Sequence, residues 1–539
     1  MDIQTRELKL GAFRFSWFAL GLLLILLFGA LLRSKGLHSP LLDHPGWRQG
    51  DTASIARNFA ALKYNILYPQ TNYDGPPPNY VELELQIVPF LAATLYKIFG
   101  VHEIFGRLIS IGFSLGTVGL LAFFGRWLFA SPLAGLATAF FFAVFPGSVY
   151  YGRTFTPDAT MVFFMTAAVY ATARYLLEDA TLERRGLARC SALLALAYLA
   201  KPVSLVALAP VGFSVLDRAR SGRTMRWSAI AVLIVIPLVI LALYGRAVNA
   251  HAEWHWASGI VTLHVIPGLI AAFASWHGFI LKGQAFGAVL VLLTRTMIAG
   301  WWPWAIIAIL ILPRSARAPW LVTSWLAAGL AYVYVVVTVE RVDYYMFLLL
   351  PPLALAMGGA LARVAGLLTR TSGLMRSAAA LAAVVAFGSA FVTGQRAVAP
   401  YYLYSKNAYR RAVALDHELP KHALVVMGHY GPDILYYIDR YGWEEDPYLW
   451  TPFDEESAIR KGARYFIAIE DQRFRRNLEL CAWMQRFPLL DPKAAWPVYI
   501  TNDALIKPGT RSFWRAFRRA ERAGQGRQFL NARGVCRLR

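Results

Sequence analysis

Stretches of about 20 apolar residues recur along this chain, and no other feature restricts its fold as strongly. A helix of that length crosses a hydrocarbon core of about 30 Å, and in lipid it satisfies its own backbone hydrogen bonds. Hydrophobic residues make up 57% of the sequence and charged residues only 16%, more apolar surface than a water-soluble fold of this size needs. The chain therefore reads as an α-helical polytopic membrane protein. The first apolar run, 15–33, has no small-residue cleavage site behind it and reads as a retained span, not a removed signal peptide.

Further spans are expected at about 107–128, 131–150, 157–177, 187–201, 203–217 and 227–247. Four more are expected at about 301–312, 319–339, 344–366 and 377–394, giving about eleven. Arg6, Lys9 and Arg14 place the N-terminus inside. Arg126, the Arg184–Arg189 group, the Arg218–Arg226 group, Arg314, Arg317 and Arg363–Arg376 mark later inside loops. The net charge of +22 is thus largely a topology signal, and nucleic acid is not expected as a partner. Residues 34–103 are expected outside, with a turn at Asp74-Gly-Pro-Pro-Pro78 and an interfacial helix over 83–99 broken by Gln86 and Pro89. Residues 248–297 are also expected outside, with 283–300 lying along the interface. Trp301-Trp-Pro-Trp304 reads as part of an aromatic belt.

From about residue 395 the composition becomes that of a water-soluble domain, so 1–394 is expected to be the membrane domain and 395–539 an extracytoplasmic one. Strands over 423–427 and 465–469, with a helix over 432–440 between them, suggest a small α/β fold. The Arg-rich tail 511–539, interleaved with Phe and Trp, fits either an anionic membrane surface or a solvated tail. Cys481 and Cys536 would meet oxidising conditions outside, where a disulfide and two free thiols are both open.

Ionisable residues are costly within a membrane, so their placement carries information. Several gather on the expected outer face. Asp51, after the first span, can serve as a general base toward an acceptor hydroxyl, and its bland alternative is an N-cap for a helix from Thr52. Asp158, behind Pro157, has the same two readings. Glu82 and Glu84, with His251 and His255, are candidates for substrate contact or a divalent cation, though no ligand spacing requires a metal. Solvated charges are the plainer reading for these four. The histidines lack the Glu placement of a zinc-protease motif. Arg341, Lys201, Lys282 and Arg153 are candidates for a donor phosphate; each could instead snorkel to the headgroups as an anchor.

These motifs, in their order and placement, resemble the GT-C membrane glycosyltransferases, such as the protein O-mannosyltransferases and the lipid A aminoarabinose transferase. The resemblance is carried by Trp47-Arg-Gln-Gly-Asp51-Thr-Ala-Ser-Ile-Ala-Arg57 after the first span and by Tyr80-Val-Glu-Leu-Glu84 before the interfacial helix. It is supported by Phe155-Thr-Pro-Asp158, Ala200-Lys-Pro202, Pro303-Trp304, and Tyr344-Tyr345 leading to Leu350-Pro-Pro-Leu-Ala354. It covers most of the membrane half. It implies transfer of a sugar from a polyprenyl-phosphate donor at the outer face of the plasma (cell inner) membrane, with inversion. It does not name the acceptor, which would be a hydroxyl or a phosphate on a lipid, a glycan or a protein. It further implies that Asp51 is the base, Asp158 a second acidic position, and Glu84 a metal or substrate contact. Arg341-Val-Asp343 stands where the family often has Lys or His, which departs from the pattern at the phosphate contact.

Three other readings compete. A flippase or transporter for a lipid-linked sugar would place its site near the midplane, with broken helices and repeats; the span centres here are almost free of charge. A glycan polymerase or ligase would use paired arginines in a large external loop. A receptor-like protein would carry its function in the C-terminal domain.

Overall fold

The computed structural model describes residues 7–10, 13–179, 181–492, 494–507 and 509–537. Arg6, used above for orientation, lies outside them. Among the described residues, nine helices are long and apolar enough to cross a membrane, and the shorter apolar helices include Trp17–Arg33, Ile87–Phe99 and Pro132–Val144. In chain order the elements that matter below are α1 (Trp17–Arg33), α2 (Gly46–Ala61), α3 (Ile87–Phe99), α4 (Ile104–Phe129) and α5 (Pro132–Val144). Then come α6 (Asp158–Glu178), α7 (Arg184–Ala200), α8 (Trp227–Asn249), α9 (Trp302–Leu310), α10 (Leu350–Leu368) and α11 (Gly373–Val398). The thirteen residues of α3 are too short to span, as expected of an interfacial helix.

The bundle core is built where α4 and α10 pack on α5, with Phe141, Phe142, Trp325 and Phe347 buried. Close approach needs small residues: a Cβ on Gly358 would lie 2.1 Å from Thr138 Oγ1, and one on Gly135 2.3 Å from the Ala122 carbonyl. Trp301 is fully buried against Phe141, Phe145 and Phe387, so it is core and not part of a belt; Trp302 beside it is exposed.

The segment expected to lie outside, 248–297, folds otherwise. Two helical stretches, Trp256–Ala274 and Trp276–Met297, are each long enough to cross, and they turn on the single residue Ser275. Leu263, Ile270, Phe273 and Trp276 stand exposed along them, an apolar surface that suits lipid and not water. His264, His277 and Lys282 are carried on these helices instead of interrupting them. The two stretches form a hairpin, so together they add an even number of crossings.

The C-terminal part is an α/β layer. Its sheet runs Tyr441–Glu445, Leu424–Gly428, Ala463–Ile467, Val498–Ile500, parallel except for the last pair. Tyr73 of the first loop enters its core beside Leu415, Val425 and Leu435. Gly75 N–H bonds the Gly442 carbonyl at 2.8 Å. The first loop and the C-terminal sheet are therefore one packed unit above the bundle. The basic helix Thr510–Arg522 buries Phe517 and packs Phe513 and Trp514 into a second cluster with Val426, Phe466 and Trp483. Its apolar face is thus turned into the protein and is not free for a membrane surface. Cys481 and Cys536 are joined in a disulfide at a Cα separation of 6.1 Å.

Candidate active site

The site is organised by α2. Sequence reading starts this helix after Asp51, yet it begins at Gly46, so Asp51 sits in its second turn and cannot cap it. Two glycines explain the early start. A Cβ on Gly50 would lie 2.5 Å from Asp433 Cα, and one on Gly46 would lie 2.6 Å from Asp433 Oδ2. The bare face of α2 thus seats the helix Pro432–Ile438, and tertiary packing stabilises a turn that propensity disfavours.

On α2, Arg48 and Asp51 face one another across one turn. Arg48 Nη1 donates to Asp51 Oδ2 at 2.5 Å, and Nη2 donates to Glu84 Oε1 at 2.5 Å. Tyr73 OH donates to the other Asp51 oxygen at 3.0 Å. Arg48, Asp51 and Glu84 are all buried. Glu84 is fixed by its neighbours: Leu85 N–H bonds the Leu199 carbonyl at 2.8 Å, tying this loop to the end of α7. The next residues past that end include Lys201, whose ammonium meets Asp158 Oδ1 at 2.7 Å. Its charge also lies 4.6 Å from the Tyr345 ring and 5.1 Å from the Tyr344 ring. Asp158 opens α6, but its carboxylate turns to Lys201, and its Oδ2 has no hydrogen-bond partner among the described residues. Neither acid is a helix cap.

Burial lifts the Asp51 carboxyl above the ordinary aspartate range, against the pull of Arg48 and of the Tyr73 hydroxyl. For Arg48 burial opposes the charge, but Glu84 and Asp51 beside it outweigh this and strengthen its hold on the proton. The result is a buried guanidinium shared by two acidic side chains.

A second group closes the site. His44 Nε2 lies 3.3 Å from Asp343 Oδ1, and Tyr401 OH donates to Asp343 Oδ2 at 2.5 Å. The His44 backbone is gripped by the Tyr401 carbonyl at 3.0 Å and by Tyr150 OH at 2.5 Å. Arg341, two residues before Asp343, is exposed and makes no side-chain hydrogen bond or ion pair among the described residues. Its donors are thus free among the described residues.

The other expected site residues go elsewhere. Arg153 is fully buried and paired with Asp43, which also holds Arg107 at 3.0 Å. Arg107 in turn collects the carbonyls of Gly36, Leu37 and Ser39. Arg153 is thus part of a clamp on the first loop, with its charge spent, and is not available to a phosphate. Lys282 donates to the Val335 carbonyl at 3.4 Å from within the hairpin and has no partner in the Arg48 network. Glu82 Oε2 accepts from Ser258 N–H at 3.1 Å and Ser258 Oγ at 2.6 Å. His255 approaches Glu82 only to 4.0 Å and bonds Asn249 Oδ1 at 2.9 Å. His251 stacks on Tyr68 and bonds the Leu67 carbonyl at 2.9 Å. Glu82, Glu84, His251 and His255 therefore form no common ligand set. Among the described residues no three His, Cys, Asp or Glu side chains are grouped to hold a metal.

Sequence reading passed over Arg48, although it stands inside the quoted motif. Its spacing of three from Asp51 was the available signal. It also passed over Tyr73 and over an acidic wall on the side facing the C-terminal domain. There, burial and the nearby Asp51 push Asp74 up to about 6. Burial and Asp74 push Glu444 up to about 9 and Glu445 up to about 7.

The family model for dolichyl-phosphate-mannose-protein mannosyltransferase matches residues 86–244. No curated protein matches the chain. Among solved structures, the chain is similar to ArnT from Cupriavidus metallidurans bound to undecaprenyl phosphate. The TM-score is 0.58 at 14% identity, covering 90% of this chain and 99% of that one. It is also similar to the Archaeoglobus fulgidus oligosaccharyltransferase tethered with an acceptor peptide, at a TM-score of 0.56 and 13% identity, over 92% and 76% of the two chains. A third likeness is to the arabinofuranosyltransferase AftD from Mycobacteria, with TM-score 0.50, 16% identity, and coverage of 90% and 40%. The chain has the GT-C fold and is a multi-pass membrane protein.

Proposed function

We propose that this protein is a glycosyltransferase that moves a sugar from a polyprenyl-phosphate donor to an acceptor hydroxyl at the outer face of the membrane. The single observation that carries the proposal is the Arg48-linked pair Asp51–Glu84 beside the Lys201–Asp158 pair, in a GT-C fold. A buried carboxylate with a raised pKa is a stronger base than an exposed one while it remains ionised.

In the reaction, the acceptor O–H gives its proton to Asp51 as the oxygen forms a bond to the anomeric carbon. The bond from that carbon to the phosphate oxygen breaks, and polyprenyl phosphate leaves. Lys201, oriented by Asp158, and the free guanidinium of Arg341 meet the charge that grows on the phosphate. Attack opposite the leaving group inverts the anomeric centre. Tyr73 holds Asp51 from the C-terminal side, and Arg48 keeps it apart from Glu84.

The acidic wall bears on the acceptor. Asp74 of the first loop and Glu444 of the C-terminal sheet both feel the charge of Asp51. Glu444, raised to about 9, keeps its proton at neutral pH and can bond a hydroxyl, while Asp74, raised only to about 6, stays largely ionised and disfavours an anion, so a neutral hydroxyl of a glycan, lipid or protein suits the cleft better than a phosphate. The test is mass spectrometry of membrane lipids and glycans with and without the gene. Loss of the gene is expected to accumulate a lipid-linked sugar and to remove one glycosylated product. Unchanged pools of both would overturn the proposal, and a product glycosylated on phosphate would overturn the acceptor assignment.

A further inference from the structure

At the end of the bundle away from Asp51 there is a second built site. The helix α5 begins at Ser131 and ends near Arg33, which bonds the Ala143 carbonyl at 3.0 Å on the side of His44 and Tyr150. Its thirteen residues span about 20 Å, so its start lies at the opposite membrane face. A cavity of about 360 Å³ opens there, lined by Arg314, Arg317 and Arg363 together with Ser131 and Ser315. No carboxylate lines it. Arg363 donates one N–H to the Ile311 carbonyl at 3.0 Å, and Arg317 donates one to the Trp127 carbonyl at 2.9 Å. Arg317 also reaches Glu178 at 3.8 Å on its far side. Arg314 stacks over Trp320 at 5.2 Å. A guanidinium has five N–H donors, so each retains most of them, and the positive end of α5 adds to the field.

Around the same helix, α10, lies a second cavity of about 340 Å³. It is lined by Trp304, Ile311, Ala360, Val364, Ala383 and Phe387, among other apolar residues. Ile311 lines this slot and also supplies the carbonyl that holds Arg363, so the arginine cluster and the slot flank the same stretch of α10. An arginine-lined pocket at the headgroup level and a dry slot flanking the same stretch of α10 together suit the two parts of a phospholipid. A soluble anion would leave the slot empty, and a zwitterionic lipid would bring an ammonium among three arginines. We infer that this face binds an anionic glycerophospholipid, with its phosphate on Arg314, Arg317 and Arg363 and an acyl chain in the slot beside α9, α10 and α11.

The experiment is thermal unfolding of the purified full chain in detergent, with added phosphatidylglycerol, phosphatidylcholine or inorganic phosphate. Ligand that binds only the folded state raises the melting temperature with concentration. Phosphatidylglycerol is expected to raise it by several degrees, while the other two leave it nearly fixed. The R314Q/R317Q/R363Q variant is expected to lose the rise. Ala383→Phe, which fills the slot and leaves the arginines in place, is expected to lose most of it. An equal rise with phosphatidylcholine, or with inorganic phosphate, would overturn the inference. So would an undiminished rise in Ala383→Phe or in the arginine variant.

Discussion

At the scale of single residues, the Lys201–Asp158 pair carries the sharpest consequence. Both groups are buried, and removing one partner leaves the other charge stranded, which costs about 3 kcal/mol or more. Lys201→Met is therefore expected to lower the melting temperature clearly, and adding Asp158→Asn should recover much of that loss while transfer stays absent. A double variant no more stable than Lys201→Met alone would contradict the pairing. In the C-terminal domain, Glu455 is fully buried, and burial pushes its carboxyl up to about 8, while Trp450 N–H donates to it at 2.8 Å. The folded state thus holds this proton more tightly than the unfolded chain, whose glutamate titrates near about 4.3. Its share of stability is complete below that pH and is lost as pH rises through about 8. Unfolding followed by tryptophan fluorescence should show this decline between pH 5 and about 8, and Glu455→Gln should flatten it. Such residues are hard to find in a sequence: Glu455 stands in a run of acids, Asp454-Glu-Glu456, that reads as solvent-facing. Asp51 and Asp158 stand out as candidates in the sequence because acids beside apolar runs are rare; the pairing of Arg153 with Asp43 does not show there, because the two lie far apart in the chain.

At the scale of elements, α2 depends on contact with the C-terminal domain. Gly50→Ala would drive a methyl into the Asp433 backbone, so a loss of about 1–3 kcal/mol is expected. Limited proteolysis should then cut the C-terminal domain faster, and unchanged protection would contradict the docking. The disulfide closes a loop between positions 55 residues apart, worth about 4 kcal/mol by chain entropy. Cys481→Ser with Cys536→Ser should therefore release the Thr510–Arg522 helix before the rest of the fold. The start of α2 could not be read from Gly46-Trp-Arg-Gln-Gly50, because nothing periodic or helix-favouring lies in it; the packing partner is almost 400 residues away. The 256–297 hairpin was hidden by its histidines, lysine and glycines, which a lipid-facing helix tolerates when its outer surface stays apolar.

At the scale of the whole molecule, the bundle was legible because bilayer thickness fixes run length. The joining of the first external loop to the C-terminal sheet was not legible, since it rests on edge contacts such as Gly75–Gly442 that leave no pattern in either segment. That union places Glu444 of the C-terminal sheet near Asp51 of the first loop. The most direct measurement of the central claim is the turnover of a labelled polyprenyl-phosphate sugar by purified Asp51→Asn, with donor binding measured in the same preparation. Loss of turnover by at least about a hundredfold, with binding of the donor retained, is the predicted result; turnover close to that of the unsubstituted protein would contradict it.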